Sequence, residues 1–179
     1  VFKESNILSI KEMPEISLEN NDPSLISKKL FSLNGSFSII SFNENKLFAC
    51  VDRLRSYPLF YAVIDNKFYI SDSYDWILNK LSVKTLNRGG VLDYFLTGYV
   101  TGEETLYNEV KQLQAGEYIL VSEQNKEIEI KKERYYKFIH QNFYDINNTN
   151  LDHIFEKTLD DVFDKLINSL NNKTAVLPL

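Results

Sequence analysis

Apolar and polar residues change their spacing several times along this chain, and each change predicts a different element. Leu25, Ile26, Leu30 and Phe31 fall at helical spacing. The turn-forming run Asn20-Asn21-Asp22-Pro23-Ser24 precedes them, so Asp22 or Ser24 is expected to cap a short helix with Pro23 near its start. Upstream, residues 1–16 are short mixed segments broken by Pro14 and read as one or two strands. After Leu33 the period becomes two. Phe37, Ile39 and Ser41 alternate with Ser38, Ile40 and Phe42, and both sets are largely apolar, which predicts a strand covered on both faces.

Polar turns then mark out a series of strands. Asn43-Glu44-Asn45-Lys46 separates the first strand from Leu47–Val51, which predicts a hairpin. A third strand runs from Pro58 to Ile64, and Asp65-Asn66-Lys67 turns it into a fourth over Phe68-Tyr69-Ile70-Ser71. Four strands in succession with short turns predict one antiparallel meander. Helical spacing returns at Ser73–Leu81, with Trp76, Ile77 and Leu81 on one side and Ser71 or Asp72 as cap. Asn87 is placed to cap a further helix to about Leu96, which Gly98 ends. Thr101-Gly102-Glu103-Glu104-Thr105 is a loop. Tyr118–Val121 and Lys126–Lys132 form another hairpin through Glu123-Gln124-Asn125.

The last part follows a different pattern. Residues 139–150 are rich in Asn, Gln and Asp without apolar periodicity, and read as a linker. Leu151, Ile154, Phe155, Leu159, Val162, Leu166 and Leu170 then make a continuous helical stripe, and Ala175-Val176-Leu177 begins a buried strand. A helix feeding a short apolar strand belongs to α/β architecture, so a domain boundary is expected near residue 145.

Composition narrows the function classes. The chain has 179 residues, enough for one domain with a core, plus a part of another. Its net charge of -5 argues against a nucleic-acid partner, and the basic run Lys131-Lys132-Glu133-Arg134 is expected to be a solvated strand edge or turn. The single cysteine, Cys50, excludes an internal disulfide and a multi-cysteine zinc site, and suits a cytoplasmic setting. No apolar run approaches the roughly 20 residues of a membrane-spanning helix, and no leader pattern opens the chain. His140 and His153 are isolated. Asp160 and Asp161 are neighbours on a helix and do not share a face, so they form no carboxylate dyad. The adjacent pair Asp52-Arg53 is expected to satisfy each other and the backbone of their loop.

Several segments, taken in order, resemble a known family. Leu33-Asn34-Gly35-Ser36-Phe37 is followed by Val51-Asp52-Arg53-Leu54-Arg55-Ser56-Tyr57-Pro58-Leu59-Phe60-Tyr61. Next come Tyr69-Ile70-Ser71-Asp72-Ser73, then Tyr94-Phe95-Leu96-Thr97-Gly98-Tyr99-Val100, then Thr105-Leu106-Tyr107. Leu113-Gln114-Ala115-Gly116-Glu117-Tyr118 and the pair Tyr135-Tyr136 complete the series. This order resembles the class II glutamine amidotransferase domain at the N-terminus of asparagine-synthetase-like proteins. The resemblance implies an α+β fold, an αββα sandwich of the N-terminal-nucleophile hydrolase type with antiparallel sheets. It implies a division into a glutamine amidotransferase-like domain over residues 1–145 and the linker, helix and first strand of an ATP-dependent synthetase domain over 146–179.

The departures from the family matter for function. Its glutaminase nucleophile is an N-terminal cysteine whose own amino group acts as base, a group that titrates near pH 8 and suits proton transfer. This sequence begins with Val1, and Cys50 lies within a strand as a small core residue. The family's glutamine-holding elements lie upstream of Leu33, and neither an Asn-Gly-Glu turn nor a suitable arginine is found there. No catalytic residue and no metal ligand is therefore expected, and the domain is expected to be degenerate. Asp52, Arg53, Arg55 and Ser56 are expected to form a structural or domain-docking loop, with Arg55 in place of the family's glycine. Leu179 matches the residue before the family's nucleotide loop and is expected to touch the nucleotide through its backbone.

On this resemblance the parent protein adenylates a carboxylate with ATP and Mg, both held by the missing synthetase part, and ammonia displaces AMP to form an amide. The implied partners are the chain's own C-terminal synthetase domain, a small-molecule carboxylate, and ammonia or glutamine, with a homodimer allowed and neither nucleic acid nor membrane involved. Two alternatives stay open: a non-catalytic scaffold or interaction module of the same fold, and an active glutaminase whose N-terminus is missing.

Overall fold

The computed structural model describes residues 2–3, 6–7, 22–43, 45–125, 127–140, 143, 150–170 and 174. The chain divides into two units, one of Val1–Glu4 with Leu8–Lys137 and the other of Ser5–Ile7 with Phe138–Leu179.

In the first unit, β1 (Phe2–Lys3) pairs antiparallel with β3 (Leu33–Asn34). β2 (Asn6–Ile7) belongs to the second unit. Helix α1 (Pro23–Phe31) precedes β3 and starts as its sequence predicts. Pro23 occupies the first turn, and the Asp22 carboxylate accepts from the Ser24 backbone N–H at 2.9 Å.

The remaining strands form two sheets. β4 (Ser38–Asn43) and β5 (Lys46–Val51) make a hairpin that β9 (Glu117–Gln124) and β10 (Glu127–Arg134) extend, giving the spatial order β10-β9-β5-β4. β6 (Phe60–Ile64) and β7 (Lys67–Ser71) make a second hairpin, which the short β8 (Lys111–Gln112) joins in the order β7-β6-β8. The expected four-strand meander is thus two hairpins in two different sheets. After β5 the chain leaves its sheet through the Asp52–Leu59 segment instead of turning back on itself.

Period-two side-chain alternation explains how the layers stack. Phe48 and Cys50 of β5 and Tyr118 of β9 point toward α1, where they pack with Ile26, Leu30, Leu33, Phe37 and Tyr135. Ala49 and Val51 of β5 and Ile119 and Val121 of β9 point the other way, against Tyr61, Phe68 and Ile70 of the second sheet. On the far side of that sheet Ala62 packs with Ile77 of helix α2 (Tyr74–Leu78) and with Val110. Central strand β5 is therefore covered on both faces. β4, equally apolar in sequence, lies at the sheet edge and leaves Ile40 47% and Phe42 69% exposed, so the expectation of two covered faces fails there.

Ser73, not Ser71 or Asp72, caps α2, accepting from the Trp76 N–H at 3.2 Å. Ser71 Oγ accepts from the Ser73 N–H at 3.0 Å and shapes the turn before the helix. Helix α3 (Arg88–Thr97) starts at Asn87, whose side chain accepts from the Gly90 N–H, and stops at Gly98 in the left-handed conformation, both as predicted.

In the second unit, α4 (Leu151–Ser169) is capped by Asn150, which accepts from the His153 N–H at 3.1 Å. Its apolar stripe is present, but no residue of the helix is buried. The predicted linker lies mostly, and the strand at Ala175-Val176-Leu177 entirely, outside the described residues. No helix among the described residues is long and apolar enough to cross a membrane.

Candidate functional site

The loop after β5 holds four of the residues singled out from the sequence, and its centre is Asp52. Only 2% of Asp52 is exposed. Its Oδ2 accepts from the N–H groups of Phe37 and Ser56, both at 3.0 Å, and its Oδ1 accepts from the Leu54 N–H at 2.8 Å and the Ser56 hydroxyl at 3.2 Å. A buried carboxylate demands such donors, because the same group left without partners costs several kcal/mol. The backbone of Asp52 adds to the knot. Its N–H donates to the Phe37 carbonyl at 3.0 Å, and its carbonyl accepts from Gly116 N–H at 2.9 Å and Arg55 N–H at 3.1 Å. One residue thus ties three separated segments together: the Leu33–Phe37 turn, the loop that follows β5, and the Gly116 turn before β9.

Arg53 does not pair with Asp52, contrary to expectation. The Asp52 carboxylate is taken up by three backbone N–H groups and the Ser56 hydroxyl. The Arg53 guanidinium lies over the rings of Phe31 and Tyr136, 4.6 Å and 4.9 Å from their centroids, and donates to the Phe31 carbonyl. It fastens the end of α1 to the segment after β10.

Arg55 closes the loop in a strained conformation, at φ +56°. It donates to Gln112 Oε1 at 2.5 Å, and burial lowers its pKa from the usual arginine value. Gln112 had no place in the sequence reading, yet its amide organises a second knot. Nε2 donates toward the carbonyls of Val100, Gly102 and Glu104 at 3.3, 3.1 and 2.9 Å. A glutamine in a two-residue strand gives no pattern signal that would have marked it.

Gly116 is a position where only glycine fits. Its φ is +66°, and a Cβ there would sit 2.6 Å from the Tyr136 carbonyl oxygen. Next to it the buried Glu117 accepts from the Gln114 N–H at 2.7 Å, and burial raises its pKa.

Cys50 is fully buried in β5, and burial pushes its thiol well above the usual range, so it is no nucleophile at neutral pH. The Tyr135 hydroxyl, whose pKa burial also raises, donates to the Val51 carbonyl at 2.8 Å. His140, His153, Asp160 and Asp161 are all exposed, and Leu179 lies outside the described residues. Among the described residues no three His, Cys, Asp or Glu side chains are grouped as metal ligands.

The site thus holds a framework in which the segments that carry the family resemblance are bound to one another. A family model described as glutamine amidotransferase domain matches residues 26–136, from α1 through Tyr136. No curated protein and no solved structure gives a significant match. The matched stretch covers well over half of the chain and coincides with the two sheets and the Asp52 knot, so the protein belongs to the glutamine amidotransferase domain family.

Proposed function

We propose that this domain serves an asparagine-synthetase-like ligase, one that forms an amide from a carboxylate at the expense of ATP, and that Cys50 takes no part in hydrolysing glutamine. The observation that carries the second half is Cys50. It is the only cysteine in the sequence, and it is buried against Ile26, Leu30 and Tyr118 with a raised pKa. The first half rests on family membership together with the ordered segments from Leu33 to Tyr136.

On this reading residues 1–145 form a sandwich of the N-terminal-nucleophile hydrolase type. The packing order of α1, two antiparallel sheets and α2 supports that assignment. Residues 146–179 then open the synthetase part, where the α4 stripe becomes buried and Leu179 approaches the nucleotide. ATP and Mg are bound by that part, where they supply carboxylate activation for attack by ammonia. The loop of Asp52, Arg53, Arg55 and Ser56 is a scaffold against which the synthetase part is positioned. The protein acts in the cytoplasm on a small carboxylate, with ammonia or glutamine as nitrogen source.

The test uses the full-length protein with ATP, Mg and aspartate as the probe acceptor, and compares ammonium with glutamine. Amide and AMP formed from ammonium, with no glutamate released from glutamine, is the expected result. Glutamate release that disappears in Cys50→Ser overturns the role given to Cys50. Glutamate release that survives Cys50→Ser restores an active glutaminase whose nucleophile lies elsewhere in the protein. No AMP formation with aspartate or other carboxylates leaves a non-catalytic scaffold of this fold as the better account.

A further inference from the structure

Four aromatic rings gather on one side of the second sheet. Phe60 of β6 and Tyr74 of α2 pack edge to face, with centroids 5.3 Å apart. Together with Tyr94 of α3 and Tyr99 just beyond that helix, they line an open cavity of about 400 Å³. Pockets for small organic molecules run from roughly 300 to 1,000 Å³ and are mostly apolar, with a few fixed polar groups.

The fixed polar group here is Arg55. Its hydrogen bond to Gln112 Oε1 at 2.5 Å anchors one end of the guanidinium. A guanidinium carries five N–H donors and stays charged at neutral pH, so this anchor leaves donors for a ligand. Arg55 holds this place at φ +56°, a conformation that costs a residue with a side chain about 1–2 kcal/mol and a glycine nothing. Strain of this kind persists where its surroundings enforce it, often at ligand sites.

Glu104 also lines the cavity, but its charge is engaged. Lys111 Nζ lies 2.7 Å from its carboxylate, and Asn87 Nδ2 donates to it at 2.8 Å. The guanidinium is therefore the uncompensated charge of the cavity. We propose that this cavity binds a small monocarboxylate with an aromatic or apolar body, its carboxylate paired to Arg55 and its body packed between the rings of Phe60, Tyr74, Tyr94 and Tyr99. Planar two-point pairing of guanidinium with carboxylate supplies the specificity, and the rings supply the contact area. The site is separate from Cys50 and from the Asp52 carboxylate, and it does not depend on the amide-forming reading.

The test titrates the full-length protein with 3-phenylpropionate by calorimetry, alongside 3-phenylpropylamine and 3-phenylpropanol, which share its body but not its charge. Saturable binding of the acid over both analogues is expected. Arg55→Gln keeps a donor for Gln112 and removes the charge, and Arg55→Gly removes the strain as well. Each is expected to weaken the acid at least about tenfold, the equivalent of one charge-assisted pair. Arg55→Lys is expected to retain part of the affinity. Melting curves of the variants show that they are folded, and Arg55→Gly fits this backbone better than the natural residue. No saturable binding of the acid, equal binding of acid and amine, or undiminished binding in a folded Arg55→Gln protein overturns the proposal.

Discussion

Asp52 and Arg55 stand three residues apart in one loop, and both are charged, yet they do opposite things. Asp52 is buried, and four donors converge on its carboxylate, three of them backbone N–H groups that fold the loop around it. Arg55 holds a left-handed backbone, donates to Gln112 Oε1 and lines an open cavity. The first arrangement stabilises the fold, whereas the second is strained and carries unused hydrogen-bonding capacity. The difference teaches how to sort charged loop residues: by how fully their hydrogen-bonding groups are satisfied inside the protein and by whether the backbone is relaxed, not by charge or by neighbours in sequence.

The largest expected effect is at Asp52. Asp52→Ala leaves the N–H groups of Phe37, Leu54 and Ser56 without their acceptor, the bond from Phe37 being fully buried and the other two partly so, and is expected to cost about 3 kcal/mol in urea denaturation. A loss under about 1 kcal/mol would remove Asp52 from the centre of the framework. Gly116→Ala comes next, at about 2–3 kcal/mol, because the new Cβ meets the Tyr136 carbonyl oxygen at a positive φ. That loss should be smaller in a protein already carrying Asp52→Ala, since Gly116 N–H donates to the Asp52 carbonyl and the two residues share one knot.

Arg55→Gly is expected to change stability by no more than about 1 kcal/mol, since relief of the left-handed backbone offsets the lost bond to Gln112. A cost comparable to Asp52→Ala would erase the contrast between the two ends of the loop. The smallest effect concerns pH. Burial holds the Glu117 carboxyl above its ordinary value of 4.5, so the folded chain binds that proton more tightly than the unfolded one. Its contribution is favourable below 4.5 and is lost as pH rises through the raised folded pKa. Glu117→Gln removes this dependence while keeping an acceptor for the Gln114 N–H. Its stability relative to the natural protein should therefore be greater at about pH 7 than at about pH 4, read from thermal melts at both.

Much of the local structure was legible because local rules govern it. The caps at Asp22, Asn87 and Gly98 each depend on residues within one helical turn. The hairpins β4–β5, β6–β7 and β9–β10 follow from alternation and turn residues. The exposure of Ile40 and Phe42 was not legible, because being an edge strand depends on which partners arrive from distant sequence. Neither was the separation of Asp52 from Arg53. Adjacent residues look like a pair on paper, but the carboxylate is claimed by an N–H fifteen positions away at Phe37.

The candidate site divides the same way. The segments around Asp52 and Gly116 stood out in the sequence through their order, whereas Gln112 and the aromatic cavity did not. Residue type and spacing alone determined most of the elements, the caps at Asp22, Asn87 and Gly98, a buried single cysteine and the resemblance to an amidotransferase domain. Tertiary structure alone decided that two hairpins divide between two sheets, that Asp52 gathers three segments, and that Arg55 lines one cavity with four aromatic residues contributed by β6, α2 and the neighbourhood of α3. Those features are juxtapositions of side chains far apart along the chain. They come into being only when burial of the shared core brings the segments together, and no local pattern encodes them.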